Sequence, residues 1–163
     1  LMIRRPPRST RKESSAASDV YKRQDLVTGM LDAYEQGHQT AILVDENNNI
    51  SEGPGFNIFS VDKSGINTPD HGVLEGITRQ TVINLAKELK LKVNTKPISI
   101  KMLKSSDELF ATSTAGGIMP ITKVSGEKIG SGKVGDNTRK IHKLYWEKHS
   151  DPDWTLSVKD LLK

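Results

Sequence analysis

Three short segments of the sequence combine glycine, hydroxyl residues and a single acid in ways that could serve chemistry. The first runs from Glu52 to Phe59, where the acid stands just before a Gly-Pro-Gly turn. Glycine lets the backbone approach a bound molecule closely. A carboxylate held there could bond a heterocyclic nitrogen and keep it protonated, because a close negative charge favours the charged form. An acid in an ordinary hairpin turn would give the same pattern.

The second segment, Gly72 to Arg79, is a glycine-bearing turn that leads into a predicted helix. Backbone N–H groups and the helix dipole make such a start an anion site, and the hydroxyl of Thr78 could donate to a phosphate oxygen. Thr78 could equally be the ordinary N-cap of the helix. The spacing leaves both interpretations open.

The third segment, Thr112 to Pro120, begins with three consecutive hydroxyl residues and continues through two glycines. Such a run can form a nest of N–H groups and side-chain donors for a phosphate or a carboxylate. A polar strand end with a tight turn is the alternative. An acid, a helix-start anion site and a hydroxyl-rich loop together suit a phosphorylated heterocyclic cofactor better than a metal or a nucleic acid.

Apolar periodicity and turn residues predict the elements that position these segments. A helix is expected from Asp25 to Gly37, and Thr40–Val44 and Asn57–Val61 are predicted as paired strands. Ile77–Lys90 is the clearest helix, because its apolar residues recur every three or four positions. Further strands are expected at residues 91–95, 108–113 and 118–124, and a last helix at about 137–149.

This order of strands and helices mixes the two types without a strict βαβ alternation. It favours an α+β domain with a twisted, barrel-like mixed sheet flanked by helices over a Rossmann sheet. The chain has no cysteine, which excludes disulfides, Cys-ligated zinc and thiol nucleophiles, and its four histidines lack metal-ligand spacing. We therefore expect no metal site. The sequence also contains no run of eighteen apolar residues, so no membrane span is predicted and a cytoplasmic location is expected.

The net charge of +4 is concentrated at one end of the chain. Residues 1–24 hold seven of the 24 basic residues and two of the 20 acidic ones, so the remainder is close to neutral. This arm is predicted to be disordered and non-native, and residues 25–163 to form an incomplete cofactor-binding C-terminal domain. The alternative is a non-catalytic binding module whose basic arm contacts nucleic acid; we expect no nucleic-acid partner.

The segments Glu52 to Phe59, Gly72 to Arg79 and Thr112 to Thr122 resemble, in this order, successive signatures of the class IV (fold type IV) aminotransferases. This family includes branched-chain, D-amino-acid and (R)-selective amine transaminases, and the resemblance runs from about Asp25 to at least Trp146. It implies the large domain of the D-amino-acid aminotransferase-like fold and pyridoxal 5'-phosphate as cofactor. It also implies a homodimer when the protein is full length.

The resemblance assigns cofactor-binding roles to residues of all three segments. Glu52 would bond the pyridinium nitrogen, and Leu74 would pack against the cofactor ring. Ile77 and Thr78 would hold the 5'-phosphate through backbone N–H groups and the threonine hydroxyl, with Thr114 contributing from the third segment.

Three further residues receive roles from the same resemblance. The backbone amides of Thr114 and Ala115 would face the substrate carboxylate in branched-chain-like members. Asn57 and Arg79 would support the residues that touch the cofactor.

One departure from the family pattern concerns the lysine that forms the Schiff base with the cofactor. Its register, about six residues before Asp25, falls near Asp19, and Lys22 is three residues too late. The catalytic lysine is therefore absent from this chain, and we expect the 163 residues to be inactive by themselves.

The function that the resemblance implies is transfer of an amino group between an amino acid or amine and a 2-oxo acid. The amino-acid sequence from Thr114 to Pro120 favours a branched-chain-transaminase-like member. The alternative within the same fold is a lyase that acts on 4-amino-4-deoxychorismate.

Overall fold

The structure, a computed structural model, describes residues 1–4 and 15–158. Its helices are Ser15–Glu35 (α1), Ile77–Glu88 (α2), Ile100–Lys104 (α3) and Asp136–Glu147 (α4), followed by a 3-10 turn at Lys148–Ser150. Its strands are Met2–Arg4 (β1), Ala41–Leu43 (β2), Asn57–Asp62 (β3), Gly65–Thr68 (β4), Val93–Thr95 (β5), Glu108–Ser113 (β6), Gly117–Pro120 (β7), Lys123–Val124 (β8) and Glu127–Lys128 (β9).

The central sheet contains five strands in the order β5-β4-β3-β6-β7, and β4 and β5 are its parallel pair. Successive residues of a strand face opposite sides of a sheet. Ile58 and Phe59 are neighbours in β3 and both are fully buried, each in a different core cluster. The sheet is therefore covered on both faces. A mixed sheet with packed helices confirms the predicted α+β class.

Helix α2 covers one face of this sheet. Val82, Leu85 and Ala86 are fully buried, as their spacing of three and one residues predicts for one helix face. The helix starts after Gly76, whose φ of −62° and ψ of 141° are extended. It ends at Glu88, two residues before the predicted end, because Lys90 adopts a left-handed φ of 57°.

The prediction that Thr40–Val44 and Asn57–Val61 pair with each other is wrong. Strand β2 pairs in parallel with β1, and β3 pairs with β4 and β6. The chain after β2 folds back on itself instead, because Leu43 exchanges backbone hydrogen bonds with residues 51 and 52. The following Gly-Pro-Gly turn then carries the chain into the central sheet.

The predicted disordered arm, residues 1–24, differs from the structure in two places. Met2–Arg4 forms β1, and α1 begins at Ser15 instead of near Asp25. Residues 15–24 contain neither proline nor glycine, so nothing in their backbone interrupts a helix that extends toward the N-terminus. Residues 5–14, with the Pro-Pro pair, lie outside the described residues. That the arm is non-native stays a prediction.

Among residues 1–4 and 15–158, no helix is both long enough and apolar enough to span a bilayer.

Candidate functional site

A cleft of about 260 Å³ lies where the three sequence segments meet. Its walls come from residues within 52–57, from residues within 74–78 and from the end of β6 at 112–114, with Leu26 of α1 at one side. The segments are far apart in the sequence. The pairing of β3 with β6, which sets Asn57 opposite Thr112, brings the first and third together, and the loop before α2 adds the second.

Glu52 is a buried carboxylate in the wall of this cleft, with 7% of its surface exposed. Its Oε2 accepts hydrogen bonds from the backbone N–H of Leu74 at 2.7 Å and from Nδ2 of Asn57 at 3.3 Å. Asn57 Nδ2 also donates to the Leu74 carbonyl at 2.9 Å. These bonds tie Oε2 to β3 through Asn57 and to the loop before α2 through Leu74.

The Gly-Pro-Gly turn shapes the wall beside Glu52. Gly53 and Phe56 exchange two backbone hydrogen bonds of 3.0 and 3.2 Å, and Gly55 has a φ of +81°, which favours glycine. The Phe56 ring lies against the backbone of Gly53, where an added Cβ would stand 2.0 Å from the ring. Glycine at position 53 is therefore what allows an aromatic ring to line the cleft.

The start of α2 forms the opposite part of the cleft. Gly76 is the N-cap and has no side chain with which to cap the helix. Thr78 lies inside the first turn and is buried, whereas Ile77 is 83% exposed and Leu74 69% exposed. The alternative that Thr78 is the N-cap is therefore wrong. The first N–H groups of a helix have no acceptor within the helix, so this end can receive an anion.

Hydroxyl residues at the end of β6 stand beside the start of α2. The Ser113 hydroxyl accepts a hydrogen bond from the Gly116 N–H at 2.9 Å and so closes the turn that follows the strand. Thr114 lines the cleft. Thr112 is 1% exposed, and its hydroxyl has no hydrogen-bond partner among the described residues.

Two predicted site residues do not line the cleft. Ala115 follows Thr114 in the exposed turn. Arg79 is buried below the cleft, where its guanidinium donates to the Pro69 carbonyl at 2.9 Å and to the Thr68 hydroxyl at 3.3 Å. It therefore ties α2 to the end of β4, from which the loop carrying Leu74 departs.

Phe56 and Thr112 lie within the segments that the sequence pointed to but received no individual role, and Leu26 lies outside all three segments. Alternation along β6 was the available signal for Thr112, because residues 110 and 112 lie on one face of the strand. Leu26 could not be found this way, because its place at the cleft depends on how α1 packs.

The family model described as "Amino-transferase class IV" matches residues 10–124 of the chain. A probable branched-chain-amino-acid aminotransferase of Aquifex aeolicus is 36% identical over 118 residues, which are 71% of this chain and 38% of that protein. The chain thus spans well under half the length of this curated relative.

Two solved structures are similar to this chain in three dimensions. The branched-chain amino acid aminotransferase of Thermobaculum terrenum, in its PLP-form, has a TM-score of 0.77 and 30% identity over 83% of this chain and 45% of its own. The branched-chain aminotransferase of Thermoproteus uzoniensis, solved with norvaline, has a TM-score of 0.78 and 28% identity over 93% of this chain and 53% of its own.

Proposed function

Since this chain belongs to the class IV aminotransferases, we propose that it forms the cofactor-binding part of a pyridoxal-phosphate transaminase. The reaction is transfer of an amino group between an amino acid or amine and a 2-oxo acid, and the names of its relatives favour branched-chain substrates. The observation that carries the proposal is the convergence of a buried carboxylate, a helix start and a hydroxyl-rich strand end on one cleft.

The residues of the cleft fit this cofactor. Glu52 would hold the pyridine nitrogen, and Leu74 would pack against the ring. Ile77, Thr78 and Thr114 would hold the phosphate at the start of α2. The buried hydroxyl of Thr112 has no hydrogen-bond partner among the described residues, and a polar ligand in the cleft would supply one.

Glu52 has the charge and the surroundings for its proposed role. Its negative charge favours the protonated form of a ring nitrogen placed beside it, and Asn57 and the Leu74 N–H fix the carboxylate for that contact. When bound, pyridoxal phosphate supplies the electron sink for the reacting substrate. Arg79 keeps the loop before α2 in place.

The substrate would meet the cleft at the turn after β6. The backbone N–H groups of Thr114 and Ala115 are proposed to face its carboxylate. The Ser113–Gly116 bond supports this role, because it orders the turn that carries both residues.

The lysine expected near position 19 has no counterpart in the sequence. We therefore propose that these 163 residues bind pyridoxal phosphate without covalent attachment and do not transaminate.

A homodimer is also proposed for the full-length protein. Val27, Leu31 and Tyr34 form an apolar face of α1 and are each more than half exposed, which supports burial of this face by further protein. Sedimentation of the full-length protein as a monomer would contradict the dimer.

Binding of pyridoxal phosphate to the full chain tests the proposal, with the cofactor's fluorescence as the signal. We expect saturable binding that Glu52→Gln weakens about tenfold, because glutamine keeps the acceptor for Leu74 but removes the charge. Glu46→Gln, at an exposed turn position, is the matched control and should bind like the wild type. Absence of saturable binding by the wild type would contradict the proposed function.

A further inference from the structure

We propose that Thr112 is a further ligand of the phosphate group, an inference that rests on the function proposed above. Thr112 lines the cleft, is 1% exposed, and has a hydroxyl without a hydrogen-bond partner among the described residues. Buried hydroxyls in folded proteins are nearly always hydrogen-bonded. An exception at the wall of a cleft points to a partner that arrives from outside the chain.

The position of Thr112 on β6 directs it to the start of α2. Phe110 is two residues earlier on the same face of the strand, and it packs in the same cluster as Val82 of α2. Thr112 therefore faces the helix, and Asn57 is its neighbour across the sheet. Thr114 lies in the turn after the strand and also lines the cleft. Ser113 faces the other way and bonds Gly116.

The three hydroxyl residues of this strand end thus have different tasks. Ser113 orders the turn, Thr112 offers a donor on the side of α2, and Thr114 lines the cleft from the turn. One step of χ1 moves the threonine hydroxyl to the position that its methyl group occupied, while the methyl group takes the position of the Cβ hydrogen. The hydroxyl can therefore turn toward an arriving ligand.

An anion is the partner that these surroundings favour. The first N–H groups of α2 and its dipole attract negative charge, and Gly76 adds no competing side-chain cap. A hydroxyl also donates more strongly to a charged acceptor than to a neutral one. The phosphate is the most highly charged anionic group of the proposed cofactor, and it combines these properties.

The test compares the full chain with Thr112→Val and Thr112→Ser, using pyridoxal phosphate and pyridoxal as two probes. Valine keeps the shape and removes the donor, so the affinity for pyridoxal phosphate is expected to fall about tenfold. The affinity for pyridoxal, which lacks the phosphate, should not change. Serine should restore the binding of pyridoxal phosphate. Thr95→Val, at an exposed position of β5, is the matched control and should bind both probes like the wild type.

Thermal unfolding without ligand provides a readout that separates a ligand-binding hydroxyl from a structural one. Replacing an unpaired buried hydroxyl by a methyl group is neutral or stabilising, so Thr112→Val should melt at or above the wild-type temperature. A lower melting temperature would show that the hydroxyl has a partner within the protein and would overturn the inference.

The binding data can overturn the inference in two further ways. Unchanged affinity of Thr112→Val for pyridoxal phosphate would remove the phosphate role, and an equal loss for both probes would place the contact elsewhere on the ligand. Both outcomes leave the proposed function standing. If the wild type binds neither probe, the proposed function fails and the inference fails with it.

Discussion

Glu108 is predicted to hold the start of α4 through its negative charge. Its two carboxylate oxygens accept hydrogen bonds from the backbone N–H groups of Asn137 and Thr138 at 3.1 and 2.8 Å. They also accept from the Asn137 amide and the Thr138 hydroxyl at 3.1 and 2.7 Å. Gly135, the N-cap of α4, has no side chain to do this, so a residue of β6 takes over the role of a helix cap.

The magnitude follows from the bonds that a neutral side chain would lose. In Glu108→Gln one oxygen remains to accept hydrogen bonds. The NH₂ group that replaces the other oxygen cannot accept them, and it faces N–H or O–H donors at the start of α4. We expect a loss of about 2 kcal/mol in the free energy of unfolding near neutral pH, which is the usual range for a cap or a charged hydrogen bond. Glu46→Gln, which is exposed, should leave this free energy unchanged.

The effect must also depend on pH. Burial alone raises the pKa of Glu108, but the hydrogen bonds from Thr138 and Asn137 outweigh it and hold this pKa below its ordinary value. A folded-state pKa below that of the unfolded chain adds stability above the unfolded pKa, and this stability is lost as pH falls through the folded one. The difference between wild type and Glu108→Gln should therefore shrink in acid.

Urea unfolding of both proteins near neutral pH and in acid measures this difference. Equal stability near neutral pH, or a difference that persists in acid after Glu108 is protonated, would refute the reasoning. The result also bears on the cleft, because α4 supports β7. An added Cβ at Gly117 would stand 2.9 Å from the Tyr145 ring of α4, so a loosened helix would disturb the turn after β6.

Two further substitutions, at Gly53 and at Arg79, should disturb the residues that surround the cleft. Gly53→Ala should lower the free energy of unfolding by about 1–3 kcal/mol in urea and weaken pyridoxal phosphate binding, because its Cβ would overlap the Phe56 ring. Unchanged stability and affinity would show that the ring moves aside freely. Arg79→Met should lower stability by about 2–3 kcal/mol, since the Pro69 carbonyl and the Thr68 hydroxyl lose a charged partner. Faster amide exchange at Leu74 and Gly76 should accompany this loss, and unchanged exchange there would contradict the role of Arg79 in holding the loop.

Local patterns predicted several elements well. The spacing of Val82, Leu85 and Ala86 located α2, and the apolar run at Glu108–Ser113 has the bounds of β6. In both cases the pattern is a property of the element itself: α2 shows a periodicity of three to four residues, and β6 is a short apolar run buried on both faces of the sheet. These two elements carry two of the three segments that meet at the cleft.

Pairing partners and long-range caps could not be predicted in the same way. The partner of β2 depends on a strand that begins at Met2, and the partner of Glu108 is a helix that starts about thirty residues later. The sequence of a short apolar strand does not identify the strand with which it pairs. The same limit applies to Thr112, because the absence of a partner for its hydroxyl can be seen only once the sheet and α2 are packed.

The most direct test of the account is a crystal structure of the full chain with pyridoxal phosphate. We predict the ring nitrogen within hydrogen-bond distance of Glu52 and the phosphate at the start of α2, beside Thr78. A cofactor bound outside this cleft, or with its phosphate directed toward Glu52, would contradict the central claim.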